Sequence, residues 1–182
     1  DGGTRYYRCE AYKAIVRLIP KANYDTTGEY APTQIGMVGV KYKVLPMKEL
    51  CQAIEAEFIS CLTAQELFGV RVVDKMSYNG AVMFREYIFP NITCDIGSDK
   101  SNVAFRCIVE NSYDGSKTFK MYIGAIDFFC TNGMILGIYD LVKKRHSGEV
   151  NVDHVKDKVR SSIDIFYKQA EQYKVWVKTE IT

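Results

Sequence analysis

From Val70 to Phe129 apolar and polar side chains alternate in four runs, 70–76, 81–89, 103–109 and 118–129. A period of two places successive side chains on opposite faces of a strand. The runs are separated by Asn79-Gly80, Gly97-Ser98-Asp99 and Asp114-Gly115. Each is a turn former with a mechanism, since glycine reaches positive φ and Asn or Asp bonds its own backbone. Strands joined this closely predict an antiparallel meander. In the third run Val103, Phe105, Cys107 and Val109 share one face, and Ala104, Arg106, Ile108 and Glu110 share the other. One side of the sheet is therefore expected to pack and the other to be mixed.

The flanking segments supply the partners. Residues 12–19 and 34–45 read as strands separated by the polar loop Asn23 to Gly28, with Pro46 stopping the second. From Met47 the period changes: Leu50, Cys51, Ile54, Phe58, Cys61 and Leu62 fall on one side of a helix of about four turns. A last helix is expected from Asn151, as N-cap, through Tyr173, with Val152, Val155, Val159, Ile163 and Phe166 as its buried stripe. Val175-Trp176-Val177 then changes pattern and reads as a short strand or an interface tail. No repeat or linker interrupts residues 1–182, so the expectation is a single α+β domain, an antiparallel meander packed by two main helices.

Composition narrows the function classes. With 182 residues, 47% of them hydrophobic, the chain can bury one sizeable core. Its apolar runs are far shorter than the roughly 20 residues of a membrane span, and no charged-then-apolar leader opens the sequence. Six cysteines without a C-x-x-C pair, and two histidines, offer neither a disulfide framework nor a metal motif. A reducing cytoplasm is the expected compartment, with no cofactor and no metal. The Asn91-Ile92-Thr93 sequon has no consequence there.

Net charge is only +2, but its distribution is informative. Basic residues alternate with tyrosine in Arg5-Tyr6-Tyr7-Arg8 and Lys41-Tyr42-Lys43, and Lys143-Lys144-Arg145-His146 is a compact basic run. The bland explanation is ordinary sheet chemistry, in which tyrosine favours strands and lysine the solvent face.

The densest set of special residues lies between 111 and 134. Asn111, Ser112, Asp114 and Ser116, with Asp127, Thr131 and Asn132, hold the carboxylates and amides that general-base or metal chemistry draws on. The same residue types also make hairpin loops, where Asn and Asp satisfy local backbone. Cys130 with His146 or His154 would be the nucleophile and base of a hydrolase, and Asp114 with Asp127 its carboxylate pair, but no spacing joins either set. There is no phosphate-binding glycine loop and no H-E-x-x-H. The chain is therefore read as a non-enzyme.

The order Asn111-Ser112-Tyr113-Asp114-Gly115-Ser116, then Cys130-Thr131-Asn132-Gly133-Met134, then Gly137 and His146, resembles a phage- and plasmid-related family of unknown function. Tyr42-Lys43-Val44-Leu45-Pro46 ahead of the helix adds to the likeness, which spans roughly residues 40–170. The chain departs from that family where Tyr113 replaces histidine and where Asp127-Phe128-Phe129 replaces arginine-phenylalanine-valine. The resemblance implies a phage or mobile-element setting, in the host cytoplasm, and carries no catalytic residues with it.

Within that setting the expected function is sequence-independent binding of single-stranded DNA during replication or recombination. Aromatic rings stack on bases for about 1–3 kcal/mol each, while lysine and arginine track phosphates. The candidate stackers are Tyr42, Tyr87, Tyr113 and Tyr122. The candidate phosphate contacts are Lys41, Lys43, Arg85, Arg106, Lys120, Lys143, Lys144 and Arg145. If about four phosphates are neutralised, log affinity should fall against log salt with a slope of about −3. A meander followed by a helix also resembles strand-annealing proteins of the Rad-fifty-two type, an analogy of fold alone. The tail around Trp176 is a candidate contact in a homo-oligomer. The alternative is an accessory protein that binds a host protein or a small nucleotide at the Asn111–Ser116 and Thr131–Gly133 loops.

Overall fold

Alternation in the first third of the chain produces β1 (Tyr12–Pro20) and β2 (Tyr30–Gly39), an antiparallel ribbon whose connection contains the short helix α1 (Tyr24–Thr27). This computed structural model describes residues 10–22, 24–95, 102–127, 135–147 and 152–179. β2 stops at Gly39 rather than near Leu45. Tyr42 N–H turns back to Gly39 O at 2.9 Å, and Lys43 then pairs with His146 instead of continuing along β1.

The change of period at Met47 marks helix α2 (Met47–Cys61), followed by the single turn α3 (Ala64–Leu67). α3 is fixed by a capping box, in which Thr63 accepts from Glu66 N–H and Glu66 accepts from Thr63 N–H. Strands β3 (Arg71–Ser77), β4 (Val82–Asp95), β5 (Asn102–Ser112), β6 (Phe119–Asp127) and β7 (Ile135–Lys144) then form one antiparallel sheet in sequence order. The meander is thus five strands long, and β7 is the one the alternation did not reveal. Helix α4 (Val152–Lys178) closes the chain. It continues through Val175, Trp176 and Val177, so that segment is helical and neither a strand nor a separate tail.

The core lies between one sheet face and helices α2 and α4. Val103, Phe105, Cys107 and Val109 are almost wholly buried, as their shared face requires. Phe58 of α2 sits over Tyr87, Phe89 and Phe105, with ring centroids at 5.6, 4.8 and 6.4 Å, and Phe105 meets Phe166 of α4 at 5.5 Å. Burying each such ring contributes about 1.5–3 kcal/mol. Glu57 and Arg160 clasp the two helices at their edge. That guanidinium, aided by the Ser60 hydroxyl, holds the Glu57 carboxyl below the usual carboxylate range.

The opposite face is mixed but mostly closed. Arg106 pairs with Glu86 across the strands, and buried Glu110 draws in Lys117 and Lys120 at 3.4 and 3.5 Å. Pro90 lies where the β4–β5 register shifts between Phe89 and Thr93, a place where a missing N–H costs the ladder nothing. Among the described residues no helix is long and apolar enough to cross a membrane.

Candidate functional site

The connector from β2 to α2 and the end of β7 meet residue for residue. Lys43 N–H donates to His146 O at 2.5 Å, and His146 Nδ1 lies 3.1 Å from Lys43 O. This exchange lays the His146 ring flat on Tyr42, with centroids 4.6 Å apart and planes at 18°. Tyr42 is anchored at both ends: its hydroxyl donates to Ser112 O at 2.7 Å, and its carbonyl accepts from Lys13 Nζ at 2.6 Å. The β5–β6 turn forms the remaining wall. Gly115 sits there at φ +80°, the left-handed region that favours glycine, close against the Tyr42 ring.

The result is a concavity of about 450 Å³ lined by Lys41, Tyr42, Lys117, Arg145, His146 and Ser147, among others. His146 is 8% exposed, and its Nε2 is buried without a hydrogen-bond partner. Burial pushes its pKa below the ordinary histidine value, against the opposing pull of the Lys43 and Lys117 backbone. With Nδ1–H directed at Lys43 O, the neutral ring leaves Nε2 as an acceptor. His146, the last residue of the basic run, is therefore part of the wall.

Lys41, Lys43, Lys143, Lys144 and Arg145 are all exposed around this concavity and the strand leading to it. Among the described residues none of these five is held in an ion pair, so their charge is available to a ligand. Lys143 lies opposite Lys120, and Lys144 opposite Phe119, in the β6–β7 register. Two of the expected phosphate contacts, Lys41 and Arg145, and one stacker, Tyr42, thus line one concavity, while Lys43, Lys143 and Lys144 lie on the segments leading to it. Lys117, which no basic or aromatic cluster in the sequence marks out, also lines the concavity, with its charge shared with Glu110 at 3.4 Å.

Other candidates are placed elsewhere, each for a physical reason. Tyr87 is corrected from a surface stacker to a core residue: it is 1% exposed, packs on Phe58 and donates its hydroxyl to Glu55 at 2.9 Å. Arg85 is committed to Asp74 through two hydrogen bonds of 2.7 Å and to Glu55 at 2.9 Å. Arg106 is committed to Glu86, and Lys120 leans on Glu110. These three cations neutralise carboxylates of the sheet rather than face an open phosphate track. Tyr113 is half-buried, its hydroxyl accepting from Met47 N–H at 3.0 Å, and Tyr122 is half-buried opposite Ile108.

The Asn111–Ser116 segment spends most of its polar atoms on nearby backbone, although Asn111 Oδ1 is buried without a hydrogen-bond partner. Asn111 donates to Leu45 O at 3.1 Å, and Ser112 exchanges hydrogen bonds with Lys117 at 3.0 Å. Asp114 accepts from Ser116 N–H at 2.9 Å. Among the described residues this is hairpin chemistry, and the Thr131–Gly133 half of the alternative pocket lies outside them. Arg5–Arg8, Cys9, Gly97–Asp99, Cys130, Thr131–Gly133 and Asn151 lie outside the described residues. Among the described residues no cluster of three or more His, Cys, Asp or Glu could hold a metal ion.

Residues 34–182 match the family model described as Domain of unknown function (DUF932). No curated protein and no solved structure matches the chain.

Proposed function

The chain belongs to the DUF932 family, and from the Tyr42–His146 concavity we propose that it binds single-stranded DNA without sequence preference. The observation that carries the proposal is the pair of exposed, unneutralised cations, Lys41 and Arg145, that line a concavity walled by a stacked aromatic pair. Lysines and Arg145 around the rim neutralise successive phosphates, a term blind to sequence. The half-buried Tyr42 ring supplies the π surface left outside the stack, which any base can use, while duplex DNA has no unstacked base to present. His146 Nε2 is the buried polar atom that a phosphate would satisfy, by taking up a proton and donating to it. The resemblance of the Asn111–Ser116 and Cys130–Met134 segments to prophage and mobile-element proteins supports a role in replication or recombination of such elements.

Ultraviolet crosslinking to a thymidine oligonucleotide, followed by peptide mapping, tests the placement. Adducts in the peptides holding Tyr42 and Arg145–Ser147 are expected. Adducts confined to other surfaces, or none at low salt, would overturn it.

A further inference from the structure

A second cavity, of about 570 Å³, lies on the other side of the connector, between the β1–β2 ribbon, the first turns of α2 and the β3–β4 hairpin. Its volume falls within the range of about 300–1,000 Å³ typical of small-molecule sites. The walls are aliphatic and sulfur-bearing: Ile15, Ile35, Val44, Met47, Met76 and Met83 are the main surfaces. Methionines adapt to the shape of a flexible apolar ligand.

Charge is divided between rim and floor. Arg17 and Lys48 are exposed lining residues, and neither is held in an ion pair among the described residues. Arg17 gives one hydrogen bond, to Asn79 O at 3.3 Å, so most of its five donors remain available. Deeper in, Arg85 is already neutralised by Asp74 and Glu55, and Cys51 is buried. An anionic group is thus welcome at the mouth and an uncharged body inside. Among the described residues Tyr113 is the one aromatic in the lining, and its hydroxyl is engaged with Met47 N–H. A flat base would find little to stack on, whereas an aliphatic chain meets matching surface throughout.

We propose that this cavity binds a monomeric aliphatic carboxylate, its carboxylate held by Arg17 and Lys48 and its chain seated among the methionines. The site is separate from the Tyr42–His146 concavity and is independent of DNA binding. Transfer of the chain from water supplies the affinity, growing with each methylene buried, and the two cations set the orientation.

Dansyl-labelled undecanoic acid is the probe, titrated into the purified protein by fluorescence. Saturable binding is expected, weakened about tenfold or more in Arg17→Ala/Lys48→Ala, as loss of charged hydrogen bonds predicts. Val44→Trp, a filling change at an exposed lining position, should abolish it while the circular dichroism spectrum stays unchanged. The methyl ester of the probe should bind more weakly than the acid. Absence of saturable binding, or equal affinity in wild type and both variants, would overturn the proposal. So would capture of phosphatidylglycerol vesicles with no affinity for the monomeric probe, since that marks a membrane-facing surface rather than a cavity for a single chain.

Discussion

Tyr42 and His146, far apart in the sequence, stack with ring centroids 4.6 Å apart because Lys43 N–H donates to His146 O and the His146 ring bonds back to Lys43 O beside them. The contact joins the entrance of α2 to the exit of β7. It converts two basic stretches that are separate in sequence into one surface.

The first expectation concerns charge. Lys41→Ala and Arg145→Ala should each weaken single-stranded DNA binding and lower the magnitude of the salt slope by about 0.7 for each phosphate left without its cation. Folding should be little affected, because both side chains are exposed. Arg106→Ala should do the reverse. It strands the largely buried Glu86 carboxylate, so thermal stability should fall while the salt slope is retained. Anisotropy titrations and thermal melts, run on the same variants, separate the two effects.

The second concerns pH, and the sign differs between stability and binding. The folded His146 pKa lies below the unfolded value of 6.5, so the unfolded state binds more protons as pH falls through that region. Stability contributed by neutral His146 is fully present above pH 6.5 and is lost on acidification toward the folded pKa. DNA binding should instead strengthen in the same direction, because a phosphate at Nε2 favours the protonated ring. His146→Gln should flatten both dependences, read from melts and anisotropy titrations across the same pH series.

The folding of the chain was legible where periodicity was clean, and not where long-range pairing overrode it. Alternation located β3 to β6, and the change of period at Met47 located α2. β7 escaped because Gly137 and Asp140 interrupt its pattern and the β6–β7 register shifts twice. Val175-Trp176-Val177 has strand-like composition, yet helix α4 carries through it. At the site, Lys41, Tyr42, Lys43 and Arg145 were legible as basic and aromatic clusters. His146 was legible only as the end of the basic run; its burial against Tyr42 follows from the pairing with Lys43, which no local pattern reveals. Tyr87 was misplaced because an aromatic count does not say which sheet face a ring occupies.

The third expectation tests the core. Phe58→Ala removes the ring that touches three others and should cost about 3–5 kcal/mol of stability, measured by urea denaturation. The loss should appear in the midpoint with little change in slope.

The fourth tests the contact between the ribbon and the β5–β6 turn. A Cβ on Gly36 would come within 2.5 Å of the Asp114 Cα, too close for either backbone to accept. Gly36→Ala should therefore pull the ribbon from the turn, raising amide exchange in β1 and β2 while β4 and β5 stay protected.

The fifth concerns thiols. Cys107 is fully buried and its pKa is pushed up to about 12, while Cys61 is exposed. Site-resolved mass spectrometry after brief alkylation of the native protein should find Cys61 modified and Cys51 and Cys107 protected.

The most direct measurement is fluorescence anisotropy of the protein with a labelled single-stranded oligonucleotide and the matching duplex, each across a salt series. Binding that favours the single strand and falls with a log–log slope of about −3 is expected. No binding at low salt, or equal affinity for the duplex, would contradict a phosphate-tracking, base-stacking surface at Tyr42 and His146.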